Sequence, residues 1–244
     1  KEVIYDQITL KEKNPYNKLL LKNDLNNIKN SFKRSGYYFV EIKLEEKINE
    51  NNTVDLIYNI DMGEKALIQK INFIGDKKYK DRKLHSIVTS EEAKFWKFIS
   101  KGKYLDEERI NLDKRLLKNF YLNKGFYNVV IENAFSQLVD DEYFSLTYNI
   151  NAGNKFKFNE LNLIIAEDFE RKKFSKLDKV FSKLKNENYS LRKIEKLLDT
   201  IDQIALSENY DFIDATVNEE IVDDDKLNIT FRIEESEKFY VERI

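Results

Sequence analysis

The sequence predicts an α+β fold built from a tandem unit of the order strand–helix–helix–strand–strand, roughly 85 to 90 residues long. Two observations predict it. The hexapeptide YNIDMG at residues 58–63 returns as YNINAG at residues 148–153. The residue types that start and end helices also recur at matching distances around each copy. Matching landmarks of this kind are typical of a structural repeat.

The strand prediction comes from alternating apolar residues. Three stretches alternate with a period of two, at residues 54–60, 144–150 and 227–233. Such a period is typical of a half-buried strand. A polar turn precedes each stretch, and a further short strand precedes each turn. These earlier strands are predicted at residues 37–44, 126–133 and 210–217. Each unit therefore carries a β-hairpin.

A helix with a matched start is predicted before each hairpin. A tyrosine stands just before a capping residue at the start of all three helices, at Tyr16, Tyr104 and Tyr189. About twenty residues later each helix ends at a residue type that tolerates a left-handed backbone, namely Gly36, Gly125 and Asn209. We expect the three tyrosines to pack across the helix starts, because a residue repeated in every copy belongs to the scaffold.

The repeat boundaries follow from the turn after each hairpin, which leads into the first strand of the next unit. The first unit begins inside its first helix and is expected to lack its first strand. The predicted units are 1–63, 64–153 and 154–238, with the start of a further unit at 239–244.

Composition argues against several classes of function. The chain has no cysteine, so a zinc–thiolate site and thiol catalysis are excluded. A formal net charge of −2 at pH 7 disfavours nucleic-acid binding. His85 is the only histidine, and no pattern of residues indicates a catalytic site, a metal site or a cofactor site. The acidic run at 222–225 lacks the spaced ligands of a calcium loop. We therefore expect a protein that is not an enzyme and that has no metal or cofactor.

The motifs that close the second helix and the hairpin resemble those of the POTRA domain. The helix end carries Leu117, Phe120, Tyr121, Gly125 and Phe126. The hairpin and following strand carry Tyr58, Ile60, Gly63, Lys65, Ile68, Ile71, Phe73 and Gly75. The resemblance extends over nearly the whole chain, which is similar to the second (truncated), third and fourth POTRA domains of the Omp85 family. It implies a three-stranded mixed sheet packed on two helices in each unit.

The resemblance also implies a function. It indicates a scaffold at the periplasmic face of the bacterial outer membrane, in front of a membrane barrel that this sequence does not include. Its partners would be unfolded outer-membrane proteins and accessory lipoproteins, and it would touch the membrane only through the barrel. Alternatives are a TamA-like protein, a two-partner-secretion transporter or a cell-division scaffold with a POTRA-like domain.

The peptide-binding hypothesis concerns the strand after the second helix, which POTRA domains leave at a sheet edge. Charged residues oppose pairing with another chain at such an edge. The outward position is Glu41 in the first unit and Asp214 in the third, but Val130 in the middle unit. A later position is Glu, Phe and Glu in the three units. The candidate edge comprises Asn128, Val129, Val130, Ile131, Glu132, Asn133, Ala134 and Phe135. The alternative is that Val130 and Phe135 pack against a neighbouring domain or helix.

Two further side chains invite a functional interpretation. Trp96 could dock a partner, but its aromatic surface favours burial between the two helices of the middle unit. His85 is expected on the solvent face beside Leu84. The basic run from Lys77 to Lys83 is expected to be a solvated loop and helix start, with a membrane phosphate or an acidic partner as the alternative.

Overall fold

The computed structural model describes residues 2–94, 96, 100–140, 143–167, 169–210 and 212–237, without the side chains of residues 2, 3, 133–136 and 140. The predicted start of a further unit at 239–244 lies outside the described residues. Within them the helices are α1 (Glu2–Tyr5), α2 (Lys18–Arg34), α3 (Asp81–His85), α4 (Glu107–Leu122), α5 (Lys176–Leu184) and α6 (Leu191–Ser207). The strands are β1 (Glu41–Ile48), β2 (Val54–Asp61), β3 (Leu67–Asp76), β4 (Val130–Asp140), β5 (Tyr143–Asn151), β6 (Lys157–Ile165), β7 (Ile213–Asp223) and β8 (Lys226–Glu235). No helix in the described ranges is long and apolar enough to cross a membrane.

The strands form one sheet per repeat, and the α+β class with mixed sheets is confirmed. The first sheet pairs β1 with β2 in antiparallel register. The middle sheet has the order β3-β5-β4, and the third has the order β6-β8-β7. In the third sheet β8 is central, parallel to β6 and antiparallel to β7. Helix α5 packs on β6 and α6 packs on β7. The last strand of each complete repeat is therefore central, and the strand after the second helix is at an edge.

The second helices begin and end where the sequence predicts. The Asn17 side chain accepts the N–H of Leu19 at 2.8 Å and so caps the start of α2. The glycines that follow α2 and α4 have positive φ angles, +93° at Gly36 and +95° at Gly125. Asn209 adopts φ +62° after α6. A left-handed residue ends all three helices because it turns the chain away from the helix axis.

The strands after these helices begin later than predicted. The predicted strand at 126–133 is a turn as far as residue 129, and β4 begins at Val130. The N–H of Tyr127 donates to the carbonyl of Gly125, and that of Val129 donates to the carbonyl of Phe126. These bonds keep the backbone in a turn although its residues are apolar. The alternation of apolar residues does not distinguish such a turn from a strand.

A buried carboxylate on the second helix stabilises the fold in two repeats. Asp113 of α4 accepts the N–H of Thr89 and, at 3.2 Å, the N–H of Ser90. Asp24 of α2 accepts the N–H of Thr9 at 2.8 Å and the N–H of Leu10 at 2.9 Å. Both carboxylates are fully buried. Each one satisfies main-chain donors that have no place in a helix or a sheet, which is why a charged residue is tolerated there.

The third repeat replaces this polar arrangement with an apolar one. The seventh residue is Asp24 in α2 and Asp113 in α4, but the buried Leu197 in α6. The tyrosine of each YNI motif has Phe231 as its counterpart in the third repeat. Aspartate and tyrosine therefore occur together and are lost together. The paired change keeps the third core free of an unsatisfied hydroxyl or carboxylate.

By compactness the chain divides into two units. One comprises residues 1–117 with 131–149, and the other comprises residues 118–130 with 150–244. Each unit includes one junction between consecutive repeats.

A backbone bracket forms the first junction. The N–H of Ala66 donates to the carbonyl of Gly36 at 2.9 Å, and the carbonyl of Ala66 accepts the N–H of Leu105 at 2.8 Å. The residue after the interrepeat turn is thereby held between the end of one second helix and the start of the next. The second junction repeats both bonds with Gly125, Phe156 and Tyr189, each at 2.8 Å.

Two side chains differ from the prediction. The prediction that Trp96 closes the core was wrong, because its side chain is 59% exposed. Its ring lies 5.8 Å from the ammonium of Lys94, which is a cation–π distance. His85 is half-buried rather than free on the solvent face, and its ring meets that of Phe73 edge-on at 5.1 Å.

In the basic run, Lys77 pairs with Asp81 and Lys78 pairs with Asp76.

Candidate peptide-binding edge strand

The candidate segment forms the outer strand of the middle sheet. In the order β3-β5-β4, β4 has β5 on one side and no strand on the other among the described residues. Asn128 and Val129 precede the strand, and the segment from Val130 to Phe135 lies within it. An outer strand presents main-chain N–H and C=O groups along its free edge, and these groups are able to pair with an added strand.

The side chains at the start of β4 alternate between the core and the solvent. Val129 and Ile131 are buried, whereas Val130 is 50% exposed and Glu132 is exposed. The outward Glu132 accepts a hydrogen bond from the Asn149 side chain at 2.9 Å. Val130 thus offers an apolar contact at the beginning of the strand, followed by a carboxylate held in place. The side chains of Asn133, Ala134 and Phe135 lie outside the described residues.

The corresponding edges of the other repeats carry a charge at the position of Val130. Glu41 at the start of β1 and Asp214 near the start of β7 are both exposed. A carboxylate at this place must be desolvated when a strand is added, which disfavours pairing. Among the three corresponding edges, the middle one has an apolar side chain at this position.

The later glutamates, Glu46 and Glu219, have a different role from the one expected. Rather than standing free at the edge, each accepts a hydrogen bond from the tyrosine at the start of its own repeat's second helix. Tyr16 donates to Glu46 at 2.5 Å, and Tyr189 donates to Glu219 at 3.0 Å. The expectation that these tyrosines lie across the helix start holds for Tyr189, which is buried, whereas Tyr16 is exposed.

The pKa of each of these two tyrosines is raised above the ordinary value of the phenol group. The hydrogen bond to Glu46 is the main cause at Tyr16. At Tyr189 burial is the main cause, followed by the negative charge of Glu219. Burial, followed by the charge of Glu219, also raises the pKa of Tyr127, whose ring packs edge-on against Tyr189 at 5.0 Å. In the first and third repeats, a protonated tyrosine hydroxyl thus joins the start of the second helix to the edge strand.

In the middle repeat the buried Leu105 stands directly before the capping residue, where the other two repeats have Tyr16 and Tyr189, and Tyr104 lies one residue earlier. The ammonium of Lys65 lies 5.8 Å and that of Lys103 5.3 Å from the ring centre of Tyr104. Position 135, which corresponds to Glu46 and Glu219, is phenylalanine. A phenylalanine cannot accept the tyrosine hydrogen bond, so the tie between helix start and edge strand is confined to the first and third repeats.

The exposed apolar surface of β4 also extends beyond the segment singled out in the sequence. Leu138 and Val139, near the far end of the strand, are each about half exposed. The predicted strand ended at residue 133, whereas β4 continues to Asp140, so neither residue was assigned to a strand. The strand therefore exposes apolar side chains at both ends.

The described residues contain no cluster of three or more His, Cys, Asp or Glu side chains that is able to hold a metal ion. Asp113 has the burial of a functional carboxylate, but its oxygens accept bonds from Thr89, Ser90 and Tyr148. These bonds give it a structural role.

Comparison with known proteins gives consistent matches. The family model described as "Surface antigen variable number repeat", POTRA, matches residues 1–63 and 66–153. The chain is 22% identical over 231 residues to the outer membrane protein assembly factor BamA of Neisseria meningitidis serogroup B, covering 94% of this chain and 29% of that protein. It is 24% identical over 213 residues to BamA of Buchnera aphidicola, covering 84% of this chain and 33% of that protein. The chain thus spans about a third or less of these relatives.

A solved structure shares the fold. The crystal structure of Haemophilus influenzae BamA POTRA3-5 superimposes with a TM-score of 0.56 at 14% identity, covering 96% of this chain and 90% of that one. At this identity the likeness extends to the fold alone.

Proposed function

Because the chain belongs to the POTRA family, we propose that it is the periplasmic scaffold segment of a BamA-like β-barrel assembly protein. In this role it binds outer-membrane proteins before they fold, together with the lipoproteins of the assembly complex. The full-length protein works at the periplasmic face of the outer membrane. The relatives named as assembly factors support this proposal.

The binding mode that we propose is addition of a client strand to β4. The observation that supports this mode is the exposure of Val130 on the edge strand. The edge strands of the other two repeats have Glu41 and Asp214 at the same position. Main-chain hydrogen bonds require no particular side chains, so one edge is able to accept many client sequences. This tolerance suits a scaffold that handles many different barrel proteins.

The outward side chains at the start of β4 favour some client sequences over others. A client residue beside Val130 gains an apolar contact, whereas a residue beside Glu132 meets a fixed carboxylate. An alternating client strand with an apolar residue at the first position and a neutral or basic residue two positions later satisfies both. Residues two apart on the lipid-facing side of a barrel strand are both apolar, so such a face provides the contact with Val130 and places a neutral residue beside Glu132.

The proposal is tested by NMR titration of the chain with a client-strand peptide. We expect saturable changes in the amide signals of residues 130–132, with smaller changes at residues 41–43 and 214–216. A Val130→Glu variant, matched to Glu41, should bind more weakly while keeping its other amide signals. Binding that is equal at all three edges, or unchanged in Val130→Glu, would contradict the proposal.

A further inference from the structure

The first helix of the third repeat, α5, presents a row of lysines to the solvent. Residues 171–185, which span α5 and the short 3₁₀ helix before it, contain seven lysine or arginine residues and one acidic residue, Asp178. Lys176, Lys179 and Lys183 are spaced by three and four positions, so they lie along one face of the helix. All three side chains are exposed. We refer to this row as the lysine stripe.

The other side of α5 is fixed in the core of the repeat. Leu177 and Phe181 are buried, and the ring of Phe181 stacks on that of Phe231 at 5.6 Å. The helix is thus held against the sheet by its apolar side, and the lysine stripe lies on the side that faces the solvent. A ligand of the stripe therefore has to come from outside this repeat.

The lysine stripe has no acidic partner among the described residues. The one carboxylate of the segment, Asp178, is paired with Arg171 at 2.5 Å. Like charges three or four positions apart on a helix repel each other, so the stripe is destabilising for the isolated helix. The first helix of the middle repeat differs in this respect, because Lys77 beside it pairs with Asp81. The stripe therefore carries a positive charge that the chain itself does not neutralise.

Charge is separated across the third sheet. Helix α5 packs on β6 at one edge, and β7 forms the other edge. Strand β7 contains four acidic residues and no basic one, namely Asp214, Glu219, Glu220 and Asp223. A negatively charged surface attracts the α5 edge and repels the β7 edge, so it favours one orientation of the repeat.

The chemistry of the lysine stripe suits a surface with many separate anionic groups. An ammonium is a compact point charge, whereas the planar guanidinium of arginine is suited to bidentate pairing with a single carboxylate. Val180 lies beside the stripe and exposes 38% of its surface, so an apolar contact is available among the lysines. Phospholipid headgroups offer negative charge at many positions, with acyl chains beneath them. These features match an anionic bilayer better than a single acidic peptide.

We propose that α5 docks the third repeat on an anionic phospholipid bilayer through the lysine stripe. The ammonium groups of Lys176, Lys179 and Lys183 pair with lipid phosphates, Val180 lies at the level of the headgroups, and the acidic β7 edge faces away from the bilayer. This contact goes beyond the expectation that the membrane is touched only through the barrel. The choice of a bilayer rests in part on the proposed function, which places the chain at the outer membrane.

The test is co-sedimentation of the chain with vesicles made of phosphatidylglycerol and phosphatidylethanolamine in equal parts. Vesicles of phosphatidylcholine alone are the neutral control. We expect binding to the anionic vesicles at about 0.05 M salt and its loss at about 0.5 M, because salt screens exposed charges. A variant that combines Lys176→Gln, Lys179→Gln and Lys183→Gln should bind roughly a hundredfold more weakly, since each lysine near the bilayer contributes about a fivefold factor.

The matched control replaces Lys18, Lys22 and Lys29 of α2 with glutamine. These side chains are exposed too, and the control lowers the net charge by the same amount, so it should bind the vesicles like the unaltered chain. Equal weakening in the two triple variants, or equal binding to the neutral vesicles, would overturn the proposal.

A competition experiment separates a bilayer from an acidic protein segment as the ligand. Displacement of the vesicles by a soluble hexaglutamate peptide, at a concentration equal to that of the anionic lipid, would overturn the choice of a bilayer. Persistence of vesicle binding under these conditions would support it. The titration of β4 uses no lipid, so failure of one proposal is distinguishable from failure of the other.

Discussion

The hydroxyl of Tyr148 donates a 2.7 Å hydrogen bond to Oδ2 of Asp113, and both residues are fully buried. Tyr58 occupies the same place in the first repeat, but its buried hydroxyl has no hydrogen-bond partner among the described residues. The same motif tyrosine is thus bonded in one repeat and unbonded in the other. This contrast allows the contribution of one hydrogen bond to be measured within one chain.

Tyr148→Phe should destabilise the fold by about 1–3 kcal/mol, because it removes a donor from a buried carboxylate. Tyr58→Phe is the matched control and should leave stability nearly unchanged, since no hydrogen bond is lost. Urea denaturation followed by circular dichroism gives both values. Equal losses in the two variants would show that the bond to Asp113 contributes nothing specific.

The same tyrosine predicts a loss of stability at alkaline pH. Burial, followed by the charge of Asp113, raises the pKa of Tyr148 well above its ordinary value of 10.0. Above pH 10 the unfolded chain loses the phenolic proton while the folded chain keeps it, so unfolding becomes more favourable. The contribution is complete below pH 10 and falls as pH rises. Tyr148→Phe should show a shallower decline in unfolding free energy between pH 10 and 11 than the unaltered chain.

The hydrogen bond from Tyr189 to Glu219 should help to hold β7 against the start of α6. Tyr189→Phe removes the hydrogen bond to a partly buried carboxylate and should cost about 1–2 kcal/mol. Tyr16→Phe is the matched comparison, because it removes the corresponding hydrogen bond to Glu46 at an exposed position, and it should cost less. Hydrogen exchange of the β7 amides is the direct readout. Unchanged protection in Tyr189→Phe would mean that apolar packing alone holds this strand.

The first junction bracket predicts an unequal effect of two glycine substitutions. Alanine at Gly36 or Gly63 must adopt a positive φ, which costs about 1 kcal/mol at either position. A Cβ atom at Gly36 would also lie 2.8 Å from the carbonyl oxygen of Leu105, whereas at Gly63 the nearest atom is 3.8 Å away. Gly36→Ala should therefore lower the melting temperature more than Gly63→Ala. A smaller effect at Gly36 would show that the backbone at Leu105 moves away from the added Cβ atom at little cost.

The helices and hairpins that recur in every repeat were predicted from the sequence. A tyrosine before each second helix and the left-handed residue after it lie about twenty residues apart, and this spacing located α2, α4 and α6. Alternation located the hairpins for the same reason. Both signals are local, because they depend on hydrogen bonds and side-chain directions within one element.

The interactions that the sequence did not predict join distant parts of the chain. Asp113 is an ordinary helical residue in the sequence, and its burial depends on Thr89, Ser90 and Tyr148 from other segments. A usable signal was present, since aspartate and tyrosine are replaced together by Leu197 and Phe231. The prediction for Trp96 failed because a large aromatic ring is a probable core residue only where the chain supplies a cavity for it.

The candidate edge was predicted in part. Comparison of Glu41, Val130 and Asp214 identified the one apolar outward position, and Val130 is exposed on an outer strand. The role of Glu219 was not predictable, because its tyrosine partner lies 30 residues away in the sequence. Glu46 and Glu219 accept tyrosine hydroxyls because the start of the second helix packs on the edge strand. This packing is a tertiary contact that the local sequence does not reveal.

Site-specific photo-crosslinking in cells tests the central claim most directly, with the probe placed in turn at Val130, Glu41 and Asp214 of the full-length protein. The account predicts crosslinks to unfolded outer-membrane proteins or to an assembly lipoprotein at position 130, and few or none at the other two. Equal crosslinking at all three positions, or none at position 130, would contradict a binding role for β4.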